Sequence, residues 1–239
     1  MNWCERVLLT SILTATSASN PAGAQTQTRV GEAVLVQNQV VRVADSLSMP
    51  INVGDSLMRD ETVRTGAASA AKIVMADNTN LSLGADATIT LDRTIFNDEH
   101  SYRDIAIKLA AGAFRFVTGQ SDKAAYKITT AVATIGVRGT VLDILSQPGK
   151  TTVVLQEGGS RVCAIGGACT ELTHPGDTAV ITTTGGRNTT KKFGKPPWTF
   201  AATCAGAPGL CTVSQYAEAA QPPPAADNGP GETGALCGR

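Results

Sequence analysis

"AKIVMADNTNLSLGADATITLD", residues 71–92, decides how this chain folds. Its apolar positions are Ile73 and Met75, then Leu81 and Leu83, then Ile89 and Leu91, so a two-residue alternation recurs at a step of eight. Asp77-Asn78 and Gly84-Ala85-Asp86 separate the three groups. Period two puts alternate side chains on one face of a β-strand, and no helical period runs through the stretch. Three short strands are expected, with Ile73, Leu81 and Ile89 buried and in register. Asp77–Asn80 begins like a calcium loop, but Leu81, Leu83 and Ala85 stand where ligands should follow. Asp and Asn act here as turn formers, through hydrogen bonds to their own backbone.

The same texture extends outward from Val30 to about Gly185. Val34/Val36, Ile51/Val53, Ile105/Ile107/Leu109, Phe114/Phe116 and Tyr126/Ile128 alternate between turn residues. The expected class is all-β, a sandwich or a stack of short strands of β-roll or jelly-roll type. A segment of that length buries roughly 70% of its unfolded surface and needs no metal staple.

The whole chain has 239 residues, no net charge and 4% aromatics. Neutrality argues against a nucleic-acid partner, which calls for a basic face. No stretch approaches the roughly 20 apolar residues of a spanning helix. Residues 1–24 read as a signal peptide: Arg6 precedes the apolar run Val7–Leu13, and Ala22-Gly23-Ala24 has the small-residue form of a cleavage site. Export makes disulfides the expected use of cysteine. Cys163 and Cys169 face each other across a short hairpin loop, and Cys204 and Cys211 flank a Pro-Gly turn. Cys237 is left over. The expected location is periplasmic or secreted, with no membrane span after cleavage.

Beyond residue 185 the composition changes. "RNTTKKFGK" (187–195) carries four basic residues, and seven of the eleven prolines lie beyond residue 190. Residues 186–220 read as an irregular basic appendage clipped by Cys204–Cys211. Residues 221–239, rich in Pro and Gly, read as a disordered tail.

Chemistry is sparsely represented. His100 and His174 sit in polar connections without a nucleophile beside either. No nucleophile elbow, zinc-protease helix or phosphate loop occurs, so no catalytic, metal or cofactor-binding residue is expected. A hydrolase with two carboxylates that meet only in space is the third-ranked reading.

"ATIGVRGT" (133–140) places two glycines and an arginine within five positions of an apolar strand. Ala133, Ile135 and Val137 share one face, and Arg138 takes the other. An unpaired buried arginine is costly, so Arg138 is expected in a glycine-lined groove, paired with Asp143 or Glu157. This octapeptide belongs to a larger pattern: "VGDSL" (53–57), "VRTG" (63–66), "AKIVMADNTNLSLG" (71–84), "GAFRFVTG" (112–119) and "TTVVLQEGG" (151–159). In order and spacing these resemble the FecR domain. Gly112, Phe114, Arg115, Phe116, Gly119, Gly136, Arg138, Gly139 and Thr140 are the motif positions, and the resemblance implies structural roles for them.

The family implies an all-β domain on the periplasmic side of Gram-negative bacteria. Its best-known members span the inner membrane, sense an outer-membrane transporter and hold an anti-sigma segment in the cytoplasm. Neither that segment nor a membrane helix is expected ahead of the domain here. The leading expectation is therefore a non-enzymatic, exported module that binds a protein partner in envelope signalling or assembly. A secreted structural or adhesive component is the second reading.

Overall fold

The computed structural model describes residues 28–44, 47–98 and 101–203. The chain opens with β1 (Arg29–Gln37), β2 (Val40–Ala44), β3 (Leu47–Pro50), β4 (Ser56–Met58) and β5 (Thr62–Thr65). It continues through β6 (Ala70–Met75), β7 (Asn80–Leu83), β8 (Thr88–Asp98), the long β9 (Ser101–Val117) and β10 (Tyr126–Thr129). Then come β11 (Ala133–Val137), β12 (Val141–Gln147), β13 (Lys150–Glu157), β14 (Ser160–Ala164), β15 (Cys169–Leu172), β16 (Thr178–Thr184) and β17 (Arg187–Phe193). The protein is all-β, as the alternation requires. The signal-peptide segment, His100, Cys204, Cys211, Cys237 and the tail lie outside the described residues.

Pairing sorts the strands into two sheets with one strand in common. Sheet I runs β4-β1-β6-β7-β9-β12-β13-β16-β17. Sheet II runs β3-β2-β5-β8-β9-β10-β11-β14-β15. Strand β9 belongs to sheet II as far as Ala111, which pairs with Thr88, and to sheet I from Gly112, which pairs with Ser146. At that crossing Gly112 has φ +99°, and a Cβ there would sit 2.4 Å from the Ala87 Cα. Only glycine lets the strand bend this close to its neighbour.

A single core cluster draws Ile73, Leu81, Phe114 and Leu142 from sheet I and Val63, Ile89, Ile107 and Ile135 from sheet II. Fully burying side chains of this size contributes about 1.5–3 kcal/mol each. The expected rungs survive in part. Ile73 pairs directly with Leu81 and both are buried, but Ile89 pairs with Val63 and Leu109 in the opposite sheet. The third step of eight crosses the sandwich. Thr65 holds the crossing: its hydroxyl donates to the Gly84 carbonyl at 2.6 Å and accepts the Ala87 N–H at 2.8 Å.

Two further expectations need correction. Val34 is exposed because the β1–β6 register shifts between Ala33 and Leu35, a bulge that leaves Val34 without a partner on β6. The irregular appendage expected from residue 186 begins instead with a strand. Gly185 and Gly186 both have positive φ, and β17 folds back on β16 from Thr184↔Arg187 to Thr178↔Phe193. A two-residue glycine turn matches the twist of a hairpin.

Candidate functional site

Gly119, Gly139 and Thr140 of the motif meet at one end of the sandwich, where β9 ends and β12 begins, whereas Gly112 lies at the other end of the β9–β12 ladder. Thr118 and Thr140 clasp each other: the Thr118 N–H donates to the Thr140 carbonyl at 3.0 Å, and the Thr140 N–H donates to the Thr118 hydroxyl at 2.8 Å. Gly119 lies so close to the Asp77–Thr79 turn that a Cβ would fall 2.2 Å from the Asp77 carbonyl oxygen. Gly139 (φ +70°) turns its carbonyl onto Gly158, where a Cβ would meet it at 1.8 Å. Gly136 is different. The nearest atom to a Cβ there is the Arg161 carbonyl oxygen at 3.8 Å, so no close approach requires glycine. Phe114 and Phe116 are core residues, and Phe116 meets Tyr126 edge-to-face at 5.6 Å.

Behind this end lies a buried polar knot that period-two reading treats as a mere turn. Asp77 is fully buried and accepts hydrogen bonds from the Thr79 N–H, the Thr79 hydroxyl, the Ser121 hydroxyl at 2.6 Å and the Tyr126 hydroxyl. Burial, and then the hydrogen bond given to Asp77, push the Tyr126 phenol up to about 12.

Arg138 does not fill a groove. Its side chain is exposed and meets no acceptor among the described residues, while its N–H bonds the Gly159 carbonyl at 2.9 Å. Asp143 is taken by Arg115, which stands opposite it on β9. Arg115 Nε reaches Asp143 Oδ1 at 2.6 Å and Nη2 reaches Oδ2 at 2.8 Å. The turn at Arg138 carries the chain from sheet II to sheet I and projects its side chain into solvent. Asp143, five residues on, already lies on the outer face of sheet I.

That outer face is covered by the segment after β17. Phe200 is fully buried, its ring centroid is 5.3 Å from the Arg115 guanidinium carbon, and its N–H donates to Asp143 Oδ2 at 3.3 Å. With Ala70 and Ala113 it forms a second small apolar cluster, against which Leu35, Leu145 and Trp198 pack. No periodicity in the sequence announces this contact.

Cys163 and Cys169 form a disulfide across the β14–β15 hairpin, with Cα atoms 3.9 Å apart.

The edges of the two sheets differ in how they are protected. At sheet II, β15 is short, disulfide-linked and held by the Arg161–Glu171 pair at 3.6 Å. At sheet I, β17 carries Arg187, Lys191 and Lys192, and β4 is three residues long. Short, charged or cross-linked edges resist pairing with other chains. The remaining edge is β3, "LSMP", which is as short as β15 and ends in Pro50 but carries neither a charge nor a cross-link; among the described residues it pairs with β2 alone. All four of its residues are exposed; Leu47 is 70% and Met49 49% accessible. Near it opens a cleft of about 440 Å³ lined by Met49 of β3, by Met58, and by the charged Arg42, Arg59, Asp60 and Glu61. Arg42 Nη1 bonds Glu61 Oε1 at 2.9 Å, and Glu61 Oε2 accepts the Met58 N–H at 2.8 Å. What the flank offers is a strand edge with two methionines and a set of charged side chains near it.

Other chemistry is scattered. His174 is exposed in its turn, beside the Thr173 hydroxyl at 3.0 Å. Among the described residues no three His, Cys, Asp or Glu side chains gather as a metal site, and no helix is long and apolar enough to cross a membrane.

Comparison with known proteins places part of this architecture. The family model described as FecR protein matches residues 61–159, from the start of the β5 region to just past β13. Two crystal structures of a candidate anti-sigma factor from Parabacteroides distasonis ATCC 8503, at 2.50 and 1.65 Å resolution, resemble the chain at 16% and 15% identity, with TM-scores of 0.45 and 0.42. Each likeness covers 54% of this chain and 58% of the solved one, so the chain spans little more than half of the solved protein's length. No curated protein matches it.

Proposed function

With a FecR domain over residues 61–159 at its centre, the chain is, we propose, an exported, non-enzymatic module that binds a protein partner in envelope signalling. The observation that carries this reading is the β3 edge, exposed, uncharged and without a cross-link, beside the Met49–Met58 cleft. An edge strand offers main-chain donors and acceptors to an extended segment, and a cleft of mixed apolar and charged lining near it selects the side chain that enters. Methionine walls adapt to the shape of that side chain. The partner is a protein segment that adds to sheet II as one more strand.

Export is supported by the leader-like residues 1–24 and by a disulfide on a hairpin, a bond that persists in oxidising compartments. In this reading the leader is removed, the sandwich from residue 30 through β17 is the binding unit, and residues 221–239 are a tail.

The test is affinity capture from the native envelope extract, comparing the leader-free chain with its Leu47→Lys/Met49→Lys variant. A defined protein retained by the first and lost by the second is expected. Equal retention by both, or no specific protein with either, contradicts the reading.

A further inference from the structure

We propose that the outer face of sheet I around Arg115 and Asp143 is a second recognition surface, one for an extended peptide bearing an aromatic residue. The chain's own segment Gly194–Thr203 fills it as an internal ligand.

The receiving face is a polar row that the sheet itself supplies. Lys72, Ser82, Arg115 and Asp143 form one cross-strand row over β6, β7, β9 and β12. The outer face of an antiparallel sheet is ordinarily polar and wet, yet Arg115 is 3% and Asp143 0% exposed. Burial costs a charge pair dearly unless hydrogen bonds replace the lost water. They do so here: Asp143 takes two bonds from Arg115, one from Gln156 Nε2 at 2.8 Å and one from the Phe200 N–H. The last of these is a peptide N–H, available from any chain. The guanidinium in turn presents a cationic platform to an aromatic ring. One carboxylate for a backbone N–H and one guanidinium for a ring make a minimal peptide-recognition pair.

The occupant sits less securely than its site. Residues 194–197 are exposed and include Pro196 and Pro197, which have no N–H to pair. The indole N–H of Trp198 is buried without an acceptor, a desolvated donor that works against the seated position. Arg115, Asp143 and Gln156 fall inside the FecR match, whereas Trp198 and Phe200 fall outside it. The face therefore belongs to the domain, and the strap is an addition to it.

The experiment uses a fluorescently labelled peptide of residues 194–203 and anisotropy titration against two full chains, the unaltered protein and Trp198→Ala/Phe200→Ala. The altered chain is expected to bind the peptide about tenfold tighter or better, because its own strap no longer competes, and a Phe200→Ala peptide to lose a similar factor. Equal binding by both chains, or indifference to the peptide's Phe200, overturns the proposal. So does a failure to bind by an altered chain whose circular dichroism matches the unaltered one. If the variant does not fold, hydrogen exchange on the unaltered protein decides. Amides of Thr199–Thr203 exchanging much faster than those of Asp143–Leu145 support displacement, and equal protection refutes it. The surface is separate from β3, so the Leu47→Lys/Met49→Lys variant is expected to bind the peptide as the unaltered chain does.

Discussion

Arg115 and Asp143 face each other across β9 and β12 and join through two parallel hydrogen bonds, at 2.6 and 2.8 Å, on the outer face of a sheet. Two residues that the chain separates by 28 positions thus become one buried unit. Removing one member leaves a desolvated charge. Asp143→Leu or Arg115→Met alone is expected to lower unfolding free energy by about 3–5 kcal/mol, and the double variant by clearly less. Urea unfolding of the three variants checks this; equal losses for single and double variants would contradict the pairing argument.

The glycines of the motif are predicted to separate sharply. Gly119→Ala and Gly158→Ala drive a methyl into backbone at 2.2 and 1.8 Å and are expected to cost more than about 3 kcal/mol or to prevent folding. Gly136→Ala has room and is expected to stay within about 1 kcal/mol. Thermal melts of the three proteins decide, and a Gly136 variant as damaged as the others would refute the distinction.

Tyr126 sets the alkaline limit. Its phenol titrates near 12 in the folded protein, above the ordinary 10.0, so the folded state holds the proton more tightly than the unfolded chain. The stabilisation is complete below pH about 10 and is lost as pH rises through about 12. Urea midpoints measured from pH 8 to 12 should fall over that window, and Tyr126→Phe should flatten the fall.

Asp177 acts at the other extreme. The hydrogen bond from Lys192 at 2.8 Å, then the N–H of Thr173, hold its carboxyl at about 2, below the ordinary 3.8. That contribution is present above pH about 4 and disappears as pH falls through about 2. Since Lys192 lies on β17, acid should loosen the edge hairpin first. Hydrogen exchange of Arg187–Phe193 between pH 5 and 2 reads this directly, and Asp177→Asn should show faster exchange already at pH 5.

Much of the sandwich was legible because alternation is a local signal. Ile73, Met75, Leu81, Leu83, Ile89 and Leu91 are all buried, as their spacing requires. Which sheet each strand joins was not legible, because a strand shows the core the same alternate residues from either side; Ile89 illustrates the point. Val34 departs from the alternation because a bulge shifts the phase without changing composition. The Cys163–Cys169 bridge was readable from a loop too short to allow much else. Sequence alone offers Arg138 either Asp143 or Glu157, whereas the partner of Asp143 lies across a sheet on β9 and Arg138 meets no acceptor among the described residues. Phe200 left no trace at all: Phe193, Trp198 and Phe200 are too few and too unevenly spaced in a basic, Pro-containing stretch to set a period. The open β3 edge was equally hidden, since being unpaired is a property of the whole sheet and not of "LSMP".

The central claim is that the partner adds to β3, and site-specific photo-cross-linking in the intact envelope tests it most directly. A photoreactive residue at Met49 should yield a discrete cross-linked protein, while the same residue at Thr170 on β15 or Thr189 on β17 should not. Cross-links of equal yield from all three edges, or none from Met49, would contradict the claim.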